Sequence, residues 1–340
     1  MKTVLELKKP KVRRYTGNPV LRPGGPGWRK VVTFNPGVIL YEGKVYLFER
    51  AAGSLHPFQC CIGLQASEDG KNFTRIGDQP VLTPAMLGYP YGSLQDTRVV
   101  RIEEYFYMTY ALRPYSYNCY PNGQALPGYS TPDYPGYDTG TFNNITRSGI
   151  ARSQDLVHWE NIGFTTPEDI DDRNNILFPG KIEGKFVLLR RPMVGKNGSK
   201  PSIWISYSED LTCWTAPEIL ATPTYEWEQG KIGGSAPPMR TAEGWLMFYH
   251  AVDQTHTYRV GAMLLDLDDP EKVIARSRDF LMEPEEYYEK TGLVIPNVIF
   301  PTGNFIKDGE IHLYYGCADT CIGYASLALD ELLEYLKFQP

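Results

Sequence analysis

Apolar and polar positions alternate with a period of two over most of this 340-residue chain, in short runs rich in aromatic and β-branched residues. That is the period of strands with one buried face, not of helices. Five segments repeat one pattern: an apolar run, a two-residue turn opening on an acid, then a second alternating run rich in aromatics. They are NPGVILYEGKVYLFERA from Asn35, QDTRVVRIEEYFYMTYA from Gln95, LFPGKIEGKFVLLRRP from Leu177, APPMRTAEGWLMFYHAV from Ala236 and FPTGNFIKDGEIHLYYGCAD from Phe300. The turn pairs Glu42-Gly43, Glu103-Glu104, Glu183-Gly184, Glu243-Gly244 and Asp308-Gly309 recur roughly every 60 to 80 residues. Each predicts a β-hairpin.

A further strand follows each hairpin. After the first three it runs into Ser-(Glu/Gln)-Asp and then a bulky aromatic, in LQASEDGKNF, IARSQDLVHW and ISYSEDLTCW; after the last two it is GAMLLDLDDP and CIGYASLALD. Four strands per unit and five units predict an all-β fold, a five-bladed β-propeller that takes up residues 1–340 as one domain. A β-sandwich is the competing arrangement, and the even spacing argues against it. Helices are expected only in the C-terminal LALDELLEYLKF and near EPEEYYEK.

Composition narrows the partners. The formal net charge is −6 and no block of Lys or Arg occurs, which argues against nucleic acid. A mildly acidic, aromatic-rich chain with 24 tyrosines suits a neutral polyol such as a sugar. No segment approaches the roughly 20 apolar residues of a membrane span. The first residues, MKTVLELKKPKVRRYTG, lack an apolar signal core, so a cytoplasmic location is the expectation. Cys60, Cys61, Cys119, Cys213, Cys317 and Cys321 form no CxxC pair and are expected to be buried free thiols. No cluster of His, Cys and carboxylates has ligand spacing, so no metal is expected. Residues 112–146, rich in Tyr, Pro and Gly, break the strand pattern. A loop of that length is usually functional, and a rim near the site or a subunit contact is expected.

In a propeller the innermost strand of each blade lines the central funnel. Asn35 lies eight residues before Gly43 and Asp96 eight before Glu104, so the two occupy equivalent places. The matching sector of later blades carries Arg173, Asn174 and Phe178, then Ser235, then Thr302 and Asn304. Convergent polar groups in a concavity predict a binding site. Arg50, Arg191 and His250 end outgoing strands, and Lys231 precedes Ile232-Gly233-Gly234. Taken singly these are ordinary solvated ends; together Arg173, Arg191, Lys231 and His250 would form a cationic pocket suited to phosphate.

The stretches NNILFPGKIEGKFVLLRRP, KIGGSAPPMRTAEGWLMFYH and FPTGNFIKDGEIHLYYGCADT strongly resemble glycoside hydrolase family 130, five-bladed propellers that include β-mannoside phosphorylases. The resemblance runs from Asn35 to the C-terminal helix. It implies that Asp96 is the catalytic acid, protonating the glycosidic oxygen directly or through a hydroxyl of the −1 mannose. Phosphate then attacks C1 with inversion to give α-mannose 1-phosphate. It further implies phosphate ligands in Arg173, Asn174, Arg191, Lys231 and His250. Asn35, Arg50, Arg98 and Asp319 are implied as sugar-binding residues. Two positions depart from the family pattern: Thr97 stands where Pro is usual, and Gly180 where a charged residue is usual. Phosphate would be a co-substrate and no cofactor is implied; relatives often assemble as oligomers.

A phosphorylase needs one acid and an anion pocket, because phosphate is already a nucleophile. An inverting hydrolase, the alternative within the family, needs a second carboxylate about 6.5–9.5 Å from the acid to activate water; Glu228 is the first candidate and Asp253 the second. A non-catalytic sugar-binding propeller is the third reading, and it has no need of an acid among cations. The acid must hold a proton near neutrality, whereas Asp usually ionises near pH 4. Burial is expected to raise Asp96, with Arg98 turned aside to brace the blade or bind sugar. The resemblance of the tyrosine-rich segment to that of family members implies short β-1,2-mannosides, ahead of β-1,4-linked ones.

Overall fold

The computed structural model describes residues 9–116, 145–193 and 199–338. Most of the 112–146 segment, and Cys119 with it, lies outside the described residues.

The alternating runs form five antiparallel sheets. Blade 1 comprises Val32–Tyr41, Lys44–Ala52, Cys60–Ser67 and Thr74–Arg75, and blade 2 Ser93–Ile102, Tyr105–Arg113, Arg147–Ser153 and Glu160–Phe164. Blade 3 comprises Asp172–Leu177, Phe186–Pro192, Ile203–Ser208 and Glu218–Ala221. In blade 4 the inner strand comes in two pieces, Lys231–Gly234 and Met239–Arg240, followed by Trp245–Val252, Tyr258–Leu265 and Val273–Arg276. Blade 5 comprises Ile299–Lys307, Glu310–Cys317 and Cys321–Ala328, and its outer strand is Arg13–Arg14 from the other end of the chain. Arg13 pairs with Ser326 and Arg14 with Ala325, so the first strand closes the ring on the last blade.

Local chemistry explains the hairpins. In blades 1, 3 and 5 both central turn residues have positive φ: Glu42 and Gly43, Glu183 and Gly184, Asp308 and Gly309. This is the mirror-image turn whose twist matches that of the strands it joins. The Ser-(Glu/Gln)-Asp motifs close the next connection by capping it. Ser67, Ser153 and Ser208 each accept a hydrogen bond from the amide three residues on, at 2.9 to 3.0 Å. Asp69, Asp155 and Asp210 accept two more each.

The core lies between blades, where each sheet buries a face against the next. Phe48, Ile62 and Leu64 of blade 1 meet Val99, Phe106 and Met108 of blade 2. Ile176, Leu189 and Ile205 of blade 3 meet Met247, Tyr249 and Met263 of blade 4. Leu332, Leu333 and Leu336 of the helix Leu329–Lys337 pack against blades 4 and 5. The helix expected near EPEEYYEK is a single turn, Tyr287–Lys290.

Buried carboxylates pin the blades. Glu289 is fully buried and accepts from Arg14 Nε at 2.8 Å, from the Tyr315 hydroxyl at 2.9 Å and from two backbone amides, which fixes the closing strand. Glu49 is likewise held by Arg29 and Gln65. Of the cysteines, Cys60, Cys317 and Cys321 are buried as expected and Cys61 is partly so; Cys213 corrects the expectation, because its place in an outer turn exposes it. No helix among the described residues is long and apolar enough to cross a membrane.

Candidate active site

One device recurs on the inner strands. The pairing register shifts between Phe34 and Gly37, between Gln95 and Arg98, and between Arg173 and Ile176, so each inner strand carries a bulge. At the bulges Asn35, Asp96 and Asn174 adopt φ of 43°, 47° and 54°. Asn and Asp tolerate this left-handed geometry better than other residues that carry a Cβ, and a bulge re-aims the side chain it carries. All three side chains line one central pocket. The equivalence of Asn35 and Asp96 expected from their spacing is thus structural.

The pocket is completed from every blade. Blade 1 adds Arg50; blade 3 adds Arg173 and Arg191; blade 4 adds Lys231, His250 and Tyr258; blade 5 adds Asp319 and Phe300. Gln95, Ile295 and Val298 also line it, and they with Tyr258 and Phe300 were not singled out in the sequence. Asp319, with φ 47°, sits in the turn between the second and third strands of blade 5. Two glycines make the crowding feasible. A Cβ on Gly316 would lie 1.8 Å from Asn35 Oδ1, and one on Gly233 would lie 2.6 Å from His250 Cε1 and 2.7 Å from Arg191 Cδ. Glycine inside a strand is the signal that marks such close approach.

Asp96 Oδ1 accepts hydrogen bonds from Asn35 Nδ2 and Arg50 Nη1, both at 2.8 Å. Oδ2 is left as the oxygen available to carry a proton. The Arg50 guanidinium lies over the Phe34 ring, 4.4 Å from its centroid, so its orientation is fixed from behind. Desolvation pushes the Asp96 pKa up, but Arg50, Arg98 and the bonds from Asn35 and Arg50 outweigh it, and the net direction is down. The expected rise is therefore corrected: the carboxyl is held ionised, because opposite charge at contact distance exceeds the cost of burial.

Arg98 does brace the blade. Its Nε donates to the Ser235 carbonyl at 2.8 Å and its Nη1 to the Asp96 carbonyl at 2.6 Å, tying blade 2 to blade 4. It lies beneath the pocket wall instead of lining it, so a direct contact with sugar is not what this arrangement provides. Thr97 is fully buried against Gly37, where a Cβ would stand 3.1 Å from its carbonyl. Gly180 sits in a bend with open space around it, away from the pocket. Phe178 is corrected as well: it packs edge-on against Trp245, 5.2 Å between centroids, within the blade 3–4 core. Ser235, Thr302 and Asn304 are buried but do not line the pocket either.

The opposite wall is cationic. Arg173 and Arg191 face each other directly across the blade 3 hairpin. Asp171 holds Arg173 in a two-point contact at 2.9 and 3.0 Å. With its amide oriented to satisfy both partners, Asn174 Oδ1 accepts from Arg191 Nε at 2.8 Å and Nη2 at 3.3 Å. Burial together with Arg173 brings Arg191 down to about 10. Burial, with Arg191 and Arg173 adjacent, brings Lys231 down to about 7. Burial next to Arg191, Lys231 and Arg98 keeps His250 neutral, its pKa well below the usual value.

Neither carboxylate proposed as a hydrolytic base is in the pocket. Glu228 is fully buried, with Oε1 2.7 Å from both the Tyr249 hydroxyl and Arg276 Nη2, and Oε2 takes the amides of Thr224 and Tyr225. Asp253 pairs with Arg259 at 2.5 Å and caps its own turn. Their roles are structural. Among the described residues no group of three His, Cys or carboxylates could hold a metal.

Comparison with known proteins follows the same lines. The family model of glycoside hydrolase family 130, described as beta-1,4-mannooligosaccharide phosphorylase, matches residues 5–124 and 134–338. A 1,2-beta-oligomannan phosphorylase of Thermoanaerobacter sp. (strain X514) is 35% identical over 329 residues, covering 95% of this chain and 99% of that protein. A beta-1,2-mannobiose phosphorylase of the same organism is 34% identical over 335 residues, covering 95% and 99%. The solved structure of beta-1,2-mannobiose phosphorylase from Listeria innocua, in complex with beta-1,2-mannobiose, shares the fold with a TM-score of 0.78 at 24% identity, covering 97% of this chain and all of that one.

Proposed function

This chain belongs to glycoside hydrolase family 130, and from that premise we propose that it catalyses the inverting phosphorolysis of short β-mannosides, releasing α-mannose 1-phosphate and a shortened sugar. The observation that carries the reading is the pairing, in one pocket, of a single bulge-mounted acid with a wall of Arg173, Arg191 and Lys231. Phosphate seated on that wall needs no base to activate it. A hydrolase would need one, and Glu228 and Asp253 are both consumed by arginines elsewhere.

The charges suggest how Asp96 acquires its proton. In the free protein the surrounding cations hold it ionised. A phosphate dianion on the wall of Arg173, Arg191 and Lys231 would add negative charge beside the carboxyl, opposing Arg50 and Arg98 and acting with desolvation to favour the protonated form. The Asp96 proton then passes to the glycosidic oxygen as the C1–O bond breaks and a phosphate oxygen bonds C1 from the other face. Asn35 and Arg50 would hold the carboxylate that remains, and Asp319 and Tyr258, which line the same pocket, would meet the mannose hydroxyls. Phosphate is the co-substrate, and no cofactor enters the scheme.

For linkage, the family description names β-1,4 oligosaccharides, while the two relatives aligned over nearly their full length are named for β-1,2-mannosides. The latter support β-1,2-mannobiose and its short oligomers as the first substrates to try. Incubation with β-1,2- and β-1,4-mannobiose, with and without phosphate, tests both points. Mannose 1-phosphate formed only with phosphate is expected; mannose released at equal rate without phosphate overturns the reading.

A further inference from the structure

The two arginines that face the anion site stand opposite each other on neighbouring strands, an arrangement that is unfavourable by itself. Two consecutive acids hold it together from different sides. Asp171 pairs with the Arg173 side chain at the half-exposed rim. Asp172 is 1% exposed and works from the core. Its Oδ1 accepts from the backbone N–H of Arg191 at 3.0 Å, and its Oδ2 lies 3.7 Å from Arg190 Nε. The Asp172 main chain is fixed as well: its N–H donates to the Thr146 carbonyl at 3.1 Å, and its carbonyl accepts from Ser148 Oγ at 2.9 Å. The carboxylate therefore stands on a braced strand and grips the strand opposite at the residue that feeds a guanidinium into the pocket.

That grip is expensive for a buried carboxyl. Desolvation outweighs Arg190 and the Arg191 amide, and Asp172 rises to about 6. The groups that offset this cost are the Arg190 guanidinium and the Arg191 N–H, both on the strand that carries Arg191 into the pocket. Asp172 does not line the pocket, so its effect must pass through Arg191.

We propose that Asp172 is a positioning residue of the phosphate subsite, fixing the Arg191 backbone so that its guanidinium meets the anion in register with Arg173 and Lys231. The inference rests on the phosphorylase reading given above. Losing a hydrogen bond that sets the position of a charged ligand costs about 1.5–3 kcal/mol, or roughly 10- to 150-fold.

The test is a split of Michaelis constants on the full chain. Wild-type protein is assayed first for phosphate-dependent release of mannose 1-phosphate, and failure there overturns the phosphorylase reading itself. Given that activity, Asp172→Ala should raise the phosphate KM at least tenfold and leave the mannoside KM within about twofold. Asp172→Asn keeps a carbonyl that can accept from Arg191 N–H, and should bring the phosphate KM back to within about threefold of wild type. Circular dichroism and thermal melts establish that each variant is folded; if the alanine variant is not, the split is read at the milder Asp172→Ser. An equal rise of both constants, an unchanged phosphate KM in a folded variant, or no recovery with asparagine overturns the positioning role.

Discussion

Lys231 makes the anion site a proton-linked one, and the size of the linkage follows from its surroundings. In the free protein burial and two neighbouring arginines hold its pKa near 7, so at pH 7 about half the molecules carry the charge. A phosphate charge about 4 Å away, at the effective dielectric of a partly wet site, is worth about 4 kcal/mol. That is roughly three pK units, which places Lys231 near 10 in the complex. Between those two values the complex binds more protons than the free protein. Phosphate binding should therefore take up about half a proton on Lys231 at pH 7 and about 0.9 at pH 8, and affinity should fall about tenfold per pH unit above 7. Titration calorimetry of wild type and Lys231→Met in two buffers of different ionisation enthalpy measures the Lys231 uptake as the difference between them, which removes both the titration of inorganic phosphate and the proton gained by Asp96. Lys231→Met, followed through the pH dependence of the phosphate KM, should flatten the slope above pH 7. An uptake that does not grow between pH 7 and 8, or a variant with the wild-type slope, would refute the reasoning.

Three further outcomes are expected. Asp96→Asn should lower kcat by about 10²- to 10⁴-fold, the usual worth of a general acid, while phosphate still raises the melting temperature; full activity would remove the acid assignment. Glu228→Gln strands Arg276 beside a neutral amide and should cost about 3–5 kcal/mol in urea unfolding, with kcat per folded molecule within about twofold. A variant as stable as wild type but inactive would return Glu228 to consideration as a base. Gly233→Ala drives a methyl to within 2.7 Å of Arg191 and closer still to His250, so the phosphate KM should rise more than the mannoside KM.

The hairpins were legible because their signals are local: a period of two, with an acid-glycine turn in blades 1, 3 and 5, marks them without reference to the rest of the chain. The equivalence of Asn35 and Asp96 came from the same count, since a bulge keeps its place relative to the turn when the blade repeats. Features set by pairing over long separations were not legible. Arg50 reaches Asp96 because it pairs with Phe34 across one blade and is stacked on that ring, and nothing in its own neighbourhood says so. The sign of the Asp96 shift depended on that contact, so the expectation from burial went the wrong way. Phe178 was read as a pocket residue from position alone, yet it turns into the blade interface, while Arg98, implied as a sugar ligand by the resemblance, takes the bracing role that was its other expectation. The structural duty of Glu228 depends on Arg276, 48 residues later, and no local pattern announces it.

The strand Arg13–Arg14 also sets the order in which the molecule can be finished as it is made. It emerges from the ribosome ahead of the five inner strands, and its partners at Ala325 and Ser326 follow some 300 residues later. At roughly 5–20 residues per second that is an interval of about 15–60 s. Blades 1 to 4 can assemble in that time, but Arg14 cannot reach Glu289 and Tyr315 until nearly the whole chain is out. A strand synthesised before the blades is thus one that docks after them, and the molecules most exposed to wrong pairing are those whose last blade has arrived before its closing strand returns.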